Sequence, residues 1–226
     1  MIAWSIAAMV AAEPVGAIVI ACPPGEKFGL DDLGVDPDGL GDVELRLVEG
    51  GEERSESVRN AIVGVETELV AIHDAARPLL VPDLAEGAIA TLIGDPGAAG
   101  AIAATPVTDT IKQVNGRRDD RALATADTTA GAFPRDRDGN TPLEVLSTQD
   151  RSRLWAAQTP QVFRLSALRE ALGASGALPG ATDEAMLVEA AGGRVLIHPS
   201  PPANLKVTTP LDLELAGLLL AERAPR

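Results

Sequence analysis

Apolar and polar positions repeat along the first third of the chain with a period that changes from one segment to the next. Residues 1–12 carry large apolar side chains three or four positions apart, which predicts an opening helix. Residues 17–20 are apolar and β-branched and residues 43–48 alternate, so both segments are predicted strands. A pair of glycines then separates the second strand from residues 55–65, whose apolar spacing predicts another helix.

The same succession of elements continues to the end of the chain, and no internal repeat interrupts it. Short apolar runs predict strands at residues 69–73, 99–107 and 194–198, and helical spacing predicts helices at residues 84–93, 165–172, 182–191 and 210–223. Strands that alternate with helices predict an α/β fold, a single domain over residues 1–226 built on a doubly wound, mostly parallel sheet. Ligands of such sheets gather outside the carboxyl ends of the strands.

One long segment departs from this pattern. Residues 115–140 are dominated by Arg, Asp, Thr, Gly and Ala and show no apolar period. Polar stretches of this length inside a compact domain are usually projecting functional loops. We therefore predict a loop or hairpin arm over about residues 108–154, within the single domain.

Composition limits the kinds of partner. The chain has 226 residues, 46% apolar and 23% charged, which suits a globular domain, and its net charge of −14 disfavours binding to nucleic acid or to an anionic membrane. An anionic ligand must then meet a local basic pocket. The single cysteine allows no disulfide framework and favours the cytoplasm. No apolar run approaches the roughly 20 residues that span a bilayer, so we expect no anchor and no signal peptide.

Two segments place polar groups at predicted strand ends. Asp74 and Arg77 follow the strand at 69–73, where aspartate can bind a hydroxyl or a metal and arginine can grip phosphate. The alternative is a turn cap paired with a surface arginine. Gly51 and Ser57 lie between a strand and a helix and could hold a phosphate, although a simple turn followed by a helix cap explains the same pattern.

Other polar residues carry weaker signals. Hydroxyl and cationic side chains cluster in residues 105–112 and 150–161, and a solvated hairpin would explain them equally well. Only 3 lysines accompany 16 arginines, and Lys206 stands among the polar candidates. The two histidines lack metal-ligand spacing, so packing is the expected role of both. Asp183 and Glu184 could ligate a cation, but capping a helix is the default expectation.

Six blocks in this order resemble one enzyme family, the 2-C-methyl-D-erythritol 4-phosphate cytidylyltransferases of nonmevalonate isoprenoid biosynthesis. The resemblance runs from residue 1 to about residue 220. The blocks are GGEERSESV, VAIHDAARP, ATPVTDTIK, DRSRLWAAQTPQVF, TDEA and NLKVTTPLDLELA. This resemblance implies a Rossmann-like nucleotidyltransferase in which the phosphate of methylerythritol phosphate attacks the α-phosphorus of CTP. Magnesium pyrophosphate then leaves, with Mg²⁺ as the divalent cation and no covalent enzyme intermediate.

The resemblance also implies a role for individual residues. Arg151 and Lys206 match the positions that orient the sugar phosphate for attack. Four further residues match substrate-binding positions, namely Asp74, Arg77, Thr110 and Thr159. Four match the CTP site, namely Gly51, Glu52, Ser57 and Ala75. Glu52 replaces the family's usual aspartate, and we expect weaker or longer-reaching contacts to the nucleotide there.

Family proteins are homodimers with exchanged arms, so we expect Arg151 and Thr159 to complete the partner's site. The chain departs from the family at its front, because a glycine-rich A-A-G-x-G-x-R-M loop and its P-K-Q continuation do not occur. Residues 1–12 instead match the helix that follows that loop. Losing one preorganised donor costs roughly 100- to 1,000-fold in rate, so we expect turnover of this chain to be nearly abolished. We expect residue 1 to be an internal methionine of a longer protein. The alternative is that the chain is a shortened, inactive relative.

Two other functions stay open at this point. The chain could be a noncatalytic dimeric homologue or binding subunit that holds CTP or substrate without turnover. It could also be a cytidylyltransferase for ribitol 5-phosphate, because that activity shares much of the nucleotide- and phosphate-binding set.

Overall fold

The computed structural model describes residues 1–115, 143–174 and 181–223. Most of the predicted arm, residues 116–142, lies outside the described residues. The helices are α1 (Ile2–Val10), α2 (Leu30–Leu33), α3 (Arg54–Ala61), α4 (Pro82–Ile93), α5 (Leu165–Ala174), α6 (Glu184–Ala190) and α7 (Pro210–Arg223). The strands are β1 (Ala17–Cys22), β2 (Glu44–Glu49), β3 (Leu69–Ile72), β4 (Gly100–Pro106), β5 (Lys112–Val114), β6 (Val145–Thr148), β7 (Trp155–Arg164) and β8 (Val195–Pro199).

These strands form a central four-stranded sheet and two smaller pairs, and the predicted α/β class is confirmed. The central order is β3-β7-β4-β8, in which β4 and β8 are parallel and β7 runs antiparallel to both of its neighbours. β1 and β2 pair in parallel, and β5 and β6 pair antiparallel at the base of the predicted arm. The central sheet is therefore mixed, with its parallel pairing at β4 and β8.

The strand β7 was not predicted from the sequence. Its first three residues are exposed and the next six are buried, ending at the fully buried Phe163. Three of the buried residues are polar, and Pro160 lies among them, so the segment resembles a loop by composition. Distant residues supply hydrogen bonds to these polar side chains, which is why a polar segment can occupy the middle of the sheet.

The core lies on the faces of this sheet. Helix α4 buries Ala88 and Leu92 against the sheet, in one cluster with Val162 of β7. Helices α5 and α6 pack apolar side chains, among them Leu168 and Val188, against Phe163. Cys22 at the end of β1 is buried, and burial raises the pKa of its thiol. The packed sheet thus fixes the strand ends from which the polar candidates project.

Most predicted boundaries agree with the structure. Helix α7 spans the predicted residues, and α1, α4, α5 and α6 differ from their predictions by a few residues at an end. Helix α3 ends at Ala61 rather than at residue 65, because the chain turns at Gly64 with a φ of +74°. The connection between β1 and β2 contains the short α2 and a 3₁₀ turn at Pro37–Leu40.

Gly100 of β4 lies opposite Phe163 of β7, and this contact yields a prediction for stability. A Cβ atom at Gly100 would lie 2.5 Å from the Phe163 ring and 3.1 Å from the Val162 carbonyl oxygen. We expect Gly100→Ala to lower the free energy of unfolding by about 1–3 kcal/mol in urea titrations. The matched control is Gly217→Ala in α7, where an added Cβ would meet no atom within 4 Å beyond its chain neighbours and the helix's own backbone, so the change should be neutral or stabilising by up to about 1 kcal/mol. Equal effects would contradict the packing argument.

Candidate active site

Asp74 lies two residues beyond the end of β3, and three cations surround its carboxylate. Lys206 Nζ is 3.1 Å from Oδ2, Arg54 Nη2 is 3.3 Å from Oδ1, and Arg77 Nε is 3.8 Å from Oδ2. Burial disfavours the charged carboxylate, but the hydrogen bond and charge of Lys206, with the charges of Arg54 and Arg77, hold the pKa of Asp74 below its usual range. The strand end therefore carries an ionised aspartate inside a basic cluster.

The cations differ in their access to solvent. The side chain of Lys206 is 44% exposed and that of Arg54 is 36% exposed, whereas the side chain of Arg77 is only 9% exposed. An anion that approaches Asp74 from solvent would thus meet the ammonium of Lys206 and one edge of the Arg54 guanidinium. Arg77 lies behind them.

Buried Arg77 connects the strand end to the C-terminal segment. Its Nη1 donates to the carbonyl oxygen of Asn204 at 2.8 Å, and the backbone N–H of Val207 donates to the carbonyl oxygen of Ala76 at 2.8 Å. Asn204 is itself buried and donates to Gln158 Oε1 and to the carbonyl oxygen of Thr159, each at 2.9 Å. These bonds hold the segment that carries Lys206 over Asp74.

Thr159 and His73 support Asp74 from the other side. The hydroxyl of Thr159 accepts the Asp74 backbone N–H at 3.0 Å and lies 3.0 Å from His73 Nδ1. His73 Nε2 is 3.2 Å from the carbonyl oxygen of Arg77, so a proton on Nε2 satisfies both ring nitrogens in the neutral form. Burial lowers the pKa of His73 to about 4. The expectation that His73 has a packing role is consistent with this geometry.

The neutral state of His73 gives a pH-dependent stability. Because the pKa of His73 is about 4 in the folded chain, below its usual 6.5, the unfolded chain binds the additional proton between these values. Stability therefore falls as pH decreases through this window, with a full contribution of about 3 kcal/mol. In urea titrations at pH 7 and pH 5, we expect the native chain to lose about 2 kcal/mol more than His73→Asn. Equal losses in the two proteins would show that His73 does not carry this dependence.

The glycine turn before α3 is shaped by its own side chains. A Cβ at Gly51 would collide with Glu56, so only glycine fits there. The Gly51 N–H donates to Ser57 Oγ at 3.0 Å, and Ser57 Oγ donates to the carbonyl oxygen of Glu53 at 3.3 Å. The Ser57 hydroxyl thus organises the turn, and Glu53 with Glu56 forms the capping box of α3.

The structure brings some of the expected site residues together and leaves others apart. Asp74, Arg77, Thr159 and Lys206 meet in one cluster, which Arg54 joins to the turn of Gly51 and Ser57. Glu52 and Ala75 are exposed beside these groups in sequence. Thr110 and Arg151 are exposed at the base of the arm, where Arg151 Nη1 donates to the Thr108 carbonyl oxygen.

Thr159 differs from its expectation. It was expected to complete a partner's site, but it is buried and its hydroxyl is bonded to His73 and Asp74 of its own chain. Arg77, expected to hold substrate, is likewise buried and bonded to Asn204. Both residues support Asp74 within one chain.

The sequence analysis missed Arg54, and it expected Glu184 to ligate a cation or to cap a helix rather than to pair with an arginine. Arg54 Nη1 donates to Glu184 Oε2, while its Nε and Nη2 lie 3.4 and 3.3 Å from Asp74 Oδ1. Burial raises the pKa of Glu184, and the charge and hydrogen bond of Arg54 offset this only partly. A cation in the first turn of a helix opposes the helix dipole, and this was the one local signal that Arg54 has a tertiary partner.

Asp183 does cap a helix, which agrees with the default expectation. Its Oδ1 accepts the Met186 N–H at 2.9 Å, and its Oδ2 accepts from Gln161 at 2.9 Å. Among residues 1–115, 143–174 and 181–223, no group of three or more His, Cys, Asp and Glu side chains is arranged to hold a metal ion. Over the same ranges, none of the helices has the length and apolarity required to cross a bilayer.

Comparison with known proteins places these residues in a family context. The chain matches the family model described as 2-C-methyl-D-erythritol 4-phosphate cytidylyltransferase over residues 1–136 and 135–222. A bifunctional enzyme IspD/IspF of Anaeromyxobacter dehalogenans is 40% identical over 214 residues, covering 94% of this chain and 48% of the relative. A 2-C-methyl-D-erythritol 4-phosphate cytidylyltransferase of Symbiobacterium thermophilum is 42% identical over 185 residues, covering 79% of this chain and 65% of the relative.

The chain therefore spans about half the length of the first of these relatives and just under two thirds of the second. The fold is similar to the crystal structure of 2-C-methyl-D-erythritol 4-phosphate cytidylyltransferase from Thermus thermophilus, with a TM-score of 0.69 and 26% identity. That match covers 96% of this chain and 87% of the solved one.

Proposed function

This chain belongs to the 2-C-methyl-D-erythritol 4-phosphate cytidylyltransferase family, and on that premise we propose that it transfers the cytidylyl group of CTP to 2-C-methyl-D-erythritol 4-phosphate. An oxygen of the sugar phosphate bonds to the α-phosphorus of CTP while the bond from that phosphorus to the α,β-bridging oxygen breaks. Pyrophosphate leaves with the electron pair of that bond. The reaction belongs to nonmevalonate isoprenoid precursor biosynthesis.

One observation carries the proposal, namely the cluster in which the exposed cations Lys206 and Arg54 flank Asp74. Phosphoryl-group transfer depends chiefly on in-line positioning and on cations that face the developing charge. The ammonium of Lys206 orients the sugar phosphate, and the carboxylate of Asp74 accepts a hydrogen bond from a hydroxyl of the sugar. The exposed arginine of the arm, Arg151, is the second orienting cation, and the exposed Thr110 is a further contact to the sugar phosphate.

The nucleotide lies against the turn before α3. Gly51 leaves room for the Glu56 side chain within the turn, Ser57 fixes the turn, and the exposed Glu52 and Ala75 line the approach from solvent. Arg54 connects this turn to Asp74, so the two substrates lie on neighbouring parts of one surface. Arg77 and Thr159 act by holding Asp74 and the Lys206 segment in place.

We assign the required Mg²⁺ to CTP. Mg²⁺ commonly binds through substrate phosphates with few protein ligands. This mode of binding needs no cluster of metal-binding side chains, and the part of the chain that the structure describes contains none. The carboxylate of Asp74 is already paired with cations. The metal supplies charge neutralisation on the triphosphate, and the protein's own cations act on the sugar phosphate.

We also propose a cytoplasmic homodimer whose arms are exchanged, so that Arg151 of each chain reaches the other chain's pocket. Leu143, Val145 and Leu146 are exposed beside and along β6, and Trp155 is exposed at the start of β7. Apolar side chains grouped on an arm are typical of a surface that associates. The single buried cysteine suits a reducing compartment.

The test is pyrophosphate release from CTP and 2-C-methyl-D-erythritol 4-phosphate with Mg²⁺. It compares the 226-residue chain with one extended by the coding sequence upstream of Met1. Release by either chain supports the proposal. Binding of both ligands without release from either would indicate a noncatalytic subunit, and preferred turnover of ribitol 5-phosphate would indicate the other sugar-phosphate specificity.

A further inference from the structure

Glu184 is a fully buried carboxylate that does not reach the proposed substrate surface. It is the first residue of α6, its side chain is 1% exposed, and its Oε2 accepts from Arg54 Nη1. Burying a carboxylate costs several kcal/mol unless it is paired and hydrogen-bonded. Glu184 meets this condition through Arg54, a residue 130 positions away in the chain.

Arg54 bridges two carboxylates with different parts of its guanidinium. Nη1 donates to Glu184, while Nε and Nη2 face Asp74 Oδ1 at 3.4 and 3.3 Å. Because the guanidinium is planar and its N–H directions are fixed, holding Nη1 on Glu184 determines the edge presented to Asp74. The orientation of Arg54 is therefore set from the side remote from the substrates.

The orientation of Arg54 in turn fixes the carboxylate of Asp74 relative to Lys206. With Oδ1 of Asp74 held by Arg54, its other oxygen, Oδ2, is directed to Lys206 Nζ at 3.1 Å. The charges alternate along the series Glu184, Arg54, Asp74 and Lys206. With Arg77 included, the cations of the cluster outnumber its carboxylates by one, which suits a phosphate-binding surface.

We propose that Glu184 is a positioning residue for sugar-phosphate binding, acting through Arg54 on the Asp74–Lys206 pair. The inference rests on the proposed function and deepens it. Under this proposal, the buried first residue of α6 contributes to binding of the sugar phosphate and does not contribute to binding of CTP.

The first experiment compares Glu184→Gln with Glu189→Gln, an exposed position on the same helix. Glutamine keeps the shape and an acceptor oxygen but removes the charge that holds Arg54. We expect Glu184→Gln to raise KM or Kd for the sugar phosphate about tenfold, with less than a twofold change for CTP. A purely structural role would reduce the active fraction and leave both constants unchanged, and that result would overturn the proposal.

The second experiment tests the route through Arg54. Arg54→Lys retains a positive charge, but a single ammonium cannot reproduce the fork that faces both carboxylates. If Glu184 acts through Arg54, the double variant that combines Glu184→Gln with Arg54→Lys should bind the sugar phosphate no more weakly than Arg54→Lys alone. Multiplying losses would show that Glu184 acts by another route.

A third measurement does not depend on substrate or turnover and so separates this inference from the proposed function. Lys206→Met should shift the urea unfolding midpoint in the native background but shift it less in the Glu184→Gln background, although the ion pairs of residues 184 and 206 are made with different partners. Failure of the native chain to bind the sugar phosphate would reject the proposed function alone. Equal midpoint shifts in the two backgrounds would reject the positioning role.

Discussion

Lys206→Met is expected to lower kcat/KM for the sugar phosphate by roughly 100- to 1,000-fold, the largest effect on activity that we predict. Lys206 is the most exposed of the cations around Asp74, and its ammonium lies 3.1 Å from Oδ2 of that residue. Methionine retains an unbranched apolar stem, so the change removes the charge with little loss of packing. The variant is made in whichever of the two chains compared above releases pyrophosphate, and initial rates at varied sugar phosphate concentrations give kcat and KM separately.

The matched control is Lys27→Met, because Lys27 is exposed in the connection between β1 and β2. Both substitutions remove one positive charge from a chain with a net charge of −14, so a general electrostatic effect would appear in both. We expect Lys27→Met to retain native rates. Comparable losses in the two variants would contradict a specific role for Lys206.

Phe163→Ala is expected to lower the free energy of unfolding by about 3–5 kcal/mol, the largest effect on stability. Phe163 is fully buried on β7 and belongs to one cluster with Ile102, Leu168 and Val188. Removing the ring loses its apolar burial and leaves a cavity between the sheet and the helices. Urea unfolding followed by far-UV circular dichroism measures the change.

Leu211→Ala serves as the control, because this leucine is 72% exposed in the first turn of α7. We expect the control to change the unfolding free energy by less than about 1 kcal/mol. If Phe163→Ala were equally mild, the assignment of β7 to the centre of the sheet would be wrong.

Much of the fold could be predicted because its elements carry local patterns. Helix α7 begins at a proline and follows an apolar period, and the short apolar run predicts the strand β3, although the structure places β3 at the edge of the central sheet with all four residues only partly buried. Strand β7 lacks such a pattern. The side chains of Gln158 and Gln161 are buried there because Ser200, Asn204 and Asp183 bond them from distant parts of the chain. No window of neighbouring residues contains that information.

The same distinction separates the parts of the site. Asp74 and Lys206 could be identified because each stands in a motif that resembles the family, and the structure brings them together. Arg54 stands in a family-like block too, but its role depends on two carboxylates, one of them 130 residues away. Arg77 shows the limit of motif transfer, because its burial and its bond to Asn204 appear only in the folded chain.

The alternating series from Glu184 to Lys206 has a consequence for how the protein is made. Its members occupy positions 54, 74, 184 and 206, so any uninterrupted fragment that includes all of them comprises most of the chain. Contacts between residues so distant in sequence close long loops, and their entropic cost delays them relative to local helices and turns. A nascent chain on the ribosome thus acquires its ligand-binding chemistry only after residue 206 has emerged, long after its first helices can form.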